Sequence, residues 1–92
     1  MYEKIRNAVL SIVPLYPIQK VTLFGSRASG SNRPDSDVDL IIEFFSPVTL
    51  LTLSMIQLQL EEILELNVDI VHGPLRDSDL LEIENEVEIY AA

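Results

Sequence analysis

A short apolar run, Val21-Thr22-Leu23-Phe24, stops at Gly25-Ser26. Ten residues later Asp37 and Asp39 flank Val38 at the opening of a second apolar run that reaches Phe45. The β-branched and aromatic content of both runs favours strands, and the Gly, Ser, Asn and Pro residues between them favour turns. Side chains at i and i+2 of a strand share a face, so Asp37 and Asp39 are expected side by side, able to share a divalent cation. The glycine turn before them offers backbone N–H groups where a phosphate can sit. A phosphate cradle facing paired carboxylates points to metal-assisted phosphoryl or nucleotidyl transfer.

Two familiar motifs fail on this stretch. Asp35, Asp37 and Asp39 alternate as in a calcium loop, but Leu40 stands where the glycine of that loop belongs and Ser46 where its bidentate glutamate belongs. Gly25 to Gly30 begins like a P-loop, yet Ser31-Asn32 follow where Lys and Ser/Thr are needed. What remains is a strand-to-turn phosphate site built from backbone N–H groups, the Ser26 hydroxyl and Arg27, with Arg33 a second candidate cation. Turn-forming accounts for Asp35 beside Pro34. It does not account for Asp39 inside an apolar strand, where aspartate is disfavoured and a carboxylate beside a core requires a partner or a cation. Asp69, within Val68-Asp69-Ile70-Val71, repeats that anomaly and is expected as a third acid on a neighbouring strand. Three clustered acids suit chemistry, where an attacking hydroxyl needs a base, better than binding alone. His72 reads as the end of that strand, not as a catalyst.

Charge and composition limit the partners. The chain has 92 residues and a formal net charge of −9. One domain, 1–92, is expected at this length. Generic nucleic-acid binding through a basic face is unfavourable; an acidic body attracts metal cations and basic proteins. There is no cysteine, which excludes disulfides, zinc–thiolate sites and a thiol nucleophile. Lys4 and Arg6 ahead of Ala8 to Leu15 look superficially like a secretory leader, but Glu3, Pro14 and Pro17 break that pattern. No apolar run approaches the ~20 residues of a membrane span. A cytoplasmic location is the expectation, without membrane contact.

Around the two strands, hydrophobic periodicity predicts an amphipathic helix from Met1 to Val13, a long helix from Val48 to Leu66 with Glu61, Glu62 and Glu65 on its wet side, a third strand Val68 to His72, and a last helix from Leu75 to about Val87 begun by Asp77 or Ser78. The expected fold class is α/β (α+β), a small mixed sheet flanked by helices, in the order α-β-β-α-β-α. The hydrophobic fraction of 48% and the apolar width of the long helix leave room for an interface.

The stretch Leu23 to Leu40, with Gly25-Ser26, Asp37-x-Asp39 and the later Asp69, resembles the minimal nucleotidyltransferases of the DNA polymerase β superfamily, and Leu80 to Tyr90 also looks like theirs. The resemblance implies a nucleotidyltransferase fold and two Mg²⁺ ions held by Asp37 and Asp39. Asp69 would ligate one ion and help deprotonate the attacking hydroxyl. Gly25, Ser26 and Arg27 would bind the nucleotide triphosphate. Stand-alone relatives of this size are antitoxins paired with HEPN-domain ribonuclease toxins, and transfer AMP from ATP to a tyrosine hydroxyl of the toxin. The family often reads Gly-Ser-Arg-Ala-Arg-Gly, whereas Ser29 here replaces the second arginine, removing one cation near the nucleotide or partner. Two functional readings follow. One is a catalytic adenylyltransferase acting on its toxin; the other is a non-catalytic antitoxin that neutralises a basic toxin by binding. A third, modification of its own Tyr2, Tyr16 or Tyr90, is remote.

Overall fold

A computed structural model describes residues 2–30, 37–73 and 86–92. Helix α1 (Tyr2–Ile12) runs into a 3-10 turn at Val13–Leu15, where Pro14 ends the α-helical ladder by lacking an N–H. Strand β1 (Ile18–Phe24) leads into the one-turn helix α2 (Ser26–Ser29), and β2 (Val38–Phe44) follows. Helix α3 (Leu50–Leu64) is capped by Thr49, whose hydroxyl accepts the Thr52 N–H at 3.2 Å. It ends on Glu65 in the left-handed region (φ 57°). Strands β3 (Val68–His72) and β4 (Glu86–Ala91) complete the elements.

The four strands form one mixed sheet in the order β3-β2-β1-β4. β1 is antiparallel to β2 and to β4, while β2 and β3 are parallel and joined through α3. Alternation along each strand splits the sheet into two unlike faces. Val21, Leu23, Leu40 and Ile42 point into a core with Ile5 and Val9 of α1 and Ile56 and Leu60 of α3, all fully buried. On the opposite face the register sets Phe24 against Asp39, Thr22 against Ile41, and Asp39 against Asp69. Thr22 and Ile41 on this face are also buried, as expected of central strands covered on both sides.

The fold class agrees with the sequence reading, and one element corrects it. Val87, assigned to the final helix, lies in β4, and the described chain ends in a strand. Glu86-Val87-Glu88-Ile89 alternates polar and apolar with a period of two, and Ile89 joins the core. Spacing four residues after Ile83 had favoured the helical reading of Val87. The rest of that helix, with Asp77 and Ser78, lies outside the described residues, as do Arg33, Asp35 and Ser36. Glu61 is a second difference. It is half-buried, and its carboxylate accepts the Val68 N–H at 3.0 Å, so it fixes the start of β3.

Candidate active site

Three chain segments meet at one end of the sheet: the exit of β1, the entry of β2 and the entry of β3. Parallel pairing in register places Asp39 directly opposite Asp69. Neighbouring strands lie roughly 4.8 Å apart, and the Asp69 carboxyl is within hydrogen-bonding reach of Asp39. Asp37, exposed just ahead of β2, acts on Asp39 through its charge. Burial pushes the Asp39 carboxyl above its ordinary range. The Asp69 and Asp37 charges push it further the same way, as does the hydrogen bond to Asp69.

The glycine turn is part of the same assembly. Gly25 has φ 77°, and a Cβ built there would lie 2.5 Å from Asp39 Oδ2. Glycine is required at this position twice over, for the left-handed backbone and for the contact with the carboxylate. The pairing of Phe24 with Asp39 brings the turn against the acid. Ser26 opens α2, and the Ala28 N–H closes back on the Gly25 carbonyl at 3.1 Å. Tyr2, whose part the sequence reading missed, donates its hydroxyl to the Arg27 carbonyl at 2.9 Å and so ties α1 to α2. No periodicity announces such a contact across 25 residues.

Arg27 is only 2% exposed, so its side chain belongs to the body of the protein and not to the open surface of the turn. His72 packs its ring on Phe44, centroids 5.4 Å apart, at the far end of β3, as expected of a strand end. Glu86 adds an acid that sequence reasoning did not include. It pairs with Phe24 on the opposite side from Asp39, two strand spacings or about 10 Å from that carboxylate. That is too far to share a cation, though it adds to the negative potential at this end of the sheet.

Among the described residues no three acidic or histidine side chains converge tightly enough to enclose a metal ion. Asp39 and Asp69 are nevertheless a close pair of hard oxygen donors in a site that disfavours the negative charge of Asp39. A divalent cation relieves that charge, and an all-carboxylate donor set suits Mg²⁺. Chemically, the arrangement can hold a cation, receive a phosphate at the glycine turn and offer an exposed carboxylate, Asp69, as a proton acceptor.

The comparison with known proteins agrees with this geometry. The family described as "Nucleotidyltransferase domain" fits residues 2–91. The chain belongs to that family. A Methanocaldococcus jannaschii relative named "Putative protein adenylyltransferase MJ0126" is 32% identical over 69 residues, 75% of this chain and 70% of the relative. A solved structure described as "Structure of putative minimal nucleotidyltransferase" is 41% identical with a TM-score of 0.66, covering 85% of both chains. The same fold recurs at lower identity in toxin–antitoxin complexes. One, holding AMP-PNP, matches at 18% identity and TM-score 0.78 over 95% of this chain and 73% of that one. Another is a tri-AMPylated Shewanella oneidensis HEPN toxin with its MNT antitoxin, at 16% identity and TM-score 0.73 over 100% and 74%. No helix among the described residues is long and apolar enough to cross a membrane.

Proposed function

We propose that this chain, acting as one domain over residues 1–92, is a Mg²⁺-dependent protein adenylyltransferase. In this reading it moves AMP from ATP to a hydroxyl, a tyrosine hydroxyl above all, on a partner ribonuclease toxin of the HEPN type. The observation that carries the reading is the in-register pairing of Asp39 with Asp69 against the Gly25 turn. A glycine turn packed directly against paired carboxylates puts a backbone phosphate cradle beside cation ligands, as nucleotidyl transfer requires. The relative named "Putative protein adenylyltransferase MJ0126" and the complex with a tri-AMPylated toxin support a protein acceptor.

Asp37 and Asp39 would hold two Mg²⁺ ions, with Asp69 on one of them, and these ions would supply charge neutralisation on the phosphoryl oxygens and activation of the acceptor oxygen. The Gly25–Ser26 turn orients the triphosphate through its backbone N–H groups. Arg27, buried beneath the turn, serves this nucleotide site by fixing the turn's position. Asp69 accepts the acceptor hydroxyl proton as its oxygen attacks the α-phosphorus. The new O–P bond forms while the bond to pyrophosphate breaks, and pyrophosphate leaves. The exposure of Asp69 leaves room for a side chain presented by another protein.

The test is co-expression of the chain with its cognate toxin, once as wild type and once as Asp37→Ala/Asp39→Ala, followed by intact mass measurement of the toxin. AMP-sized increments that appear only with the wild-type chain are expected. A toxin that stays unmodified with both, yet co-purifies and is silenced, would replace catalysis with neutralisation by binding.

A further inference from the structure

Helix α3 has two apolar sides. Ile56, Leu60 and Leu64 enter the core, and directly across the helix Leu51, Met55 and Leu58 are 70%, 45% and 65% exposed. Positions 51, 55, 58 and 62 follow one another at spacings of four, three and four, the spacing of a coiled-coil seam, with Glu62 at the last. Leu50, at the start of α3, is exposed as well. Residues 44–60 carry no charged side chain in a chain whose net charge is −9. Isolated exposed leucines need no explanation, but an uncharged apolar stripe over about the first three turns of a helix does.

Its place in the fold decides what covers it. α3 lies on the core face of the sheet, whereas Asp39 and Asp69 occupy the other face. A body seated on the outside of α3 is therefore two layers from the carboxylates and leaves them open. The charge pattern decides the chemistry. A basic partner would be met by acids along the contact, and the seam has none until its end. A second copy fits better. Laid antiparallel, the seam is self-complementary, Met55 facing Leu58 of the other copy and Leu51 facing the Glu62 stem. The two Glu62 carboxylates then lie about 16 Å apart along the axis, beyond the Debye length at physiological salt. The helix dipoles also oppose each other favourably.

We infer that the outer face of α3 is a two-fold interface between copies of this chain, which holds two carboxylate sites facing away from each other. A contact about 22 Å long and about 10 Å wide is smaller than a standard specific interface, so a weak dimer, populated at about 100 μM, is expected. The inference concerns assembly and stands apart from the adenylyl-transfer reading.

Sedimentation equilibrium of the isolated chain tests it at 0.15 M and 0.5 M NaCl. Dimerisation is expected, strengthening with salt because like-charged bodies are screened from each other. Leu51→Glu/Leu58→Glu should weaken it at least tenfold with an unchanged circular dichroism spectrum. Because the chain has no cysteine, a Met55→Cys variant gives a second, independent readout: a short bis-maleimide should link two copies through that residue. A chain that stays monomeric at 100 μM, associates only with an added basic protein, or dimerises more weakly at high salt would overturn the inference. So would a dimer untouched by the double variant and unlinked through Met55→Cys. Adenylyl transfer by the double variant would leave the proposed function standing whichever way assembly falls.

Discussion

The two faces of the sheet are written by the same strands, one residue out of step. In β2, Leu40 and Ile42 are fully buried against the helices, while Asp39 between Val38 and Leu40 stands on the other face beside a second acid. The helix-covered face gains stability from burying apolar surface. The carboxylate face gives some back, because ionised acids are drawn together and partly stripped of water. Chemistry and stability thus come from adjacent residues of one strand and pull in opposite directions.

The comparison breaks most sharply at the carboxylates. Asp39→Ala should lower adenylyl transfer by roughly 10³-fold or more, measured as AMP incorporated into the toxin, while thermal unfolding shows no loss of stability. Its mirror image is Leu40→Ala, one residue away, which should cost about 2–5 kcal/mol in denaturant unfolding through the cavity it leaves. Equal effects of the two variants on stability would erase the distinction between the faces. Gly25→Ala links them. Its Cβ would press on Asp39 Oδ2 and its backbone would be strained by roughly 1–2 kcal/mol. Transfer should fall by about tenfold to a hundredfold through displacement of the carboxylate.

A finer test uses pH. The folded-state value of Asp39 is raised above its ordinary 3.8, so ionising it opposes folding. In EDTA, its contribution to stability is fully present below that ordinary value and is lost as pH rises through the raised one. Asp39→Asn should remove that loss, leaving the variant more stable than wild type at neutral pH without Mg²⁺ and indifferent to added Mg²⁺. Calorimetric scans of both proteins across pH 3–7 check the sign. The smallest effect is on the helix side. Glu65→Gly, at the left-handed cap of α3, should raise stability by about 1 kcal/mol with no change in activity.

Much of this arrangement was legible in the sequence because it is local. The glycine turn, the strand Val68–His72 and the misplaced aspartates all declare themselves within a few residues. What escaped is set by long-range contact. β4 is too short and too close to a helical spacing to separate by periodicity, and only its pairing with β1 decides. Glu61 reads as a wet helix position until Val68 is found beside it. The burial of Arg27 and the hydrogen bond from Tyr2 to its carbonyl depend on long-range packing, which residue type does not encode. The site residues were identifiable as anomalies, acids in apolar strands; their mutual register was not.

That register makes the site sensitive to parity. Asp39 and Asp69 are 30 residues apart and meet because the β2–α3–β3 crossover returns β3 in one particular phase. A single-residue insertion or deletion that moves β3 by one position would bring Val68 or Ile70 to the open face and turn Asp69 toward the core. The fold could survive a two-residue change in the connection and keep an acid-bearing face outward, whereas a change of one would leave a recognisable sheet with no acid opposite Asp39. Insertions here are therefore filtered by whether they are odd or even before they are filtered by size, and the Glu61–Val68 hydrogen bond is the latch that holds the phase.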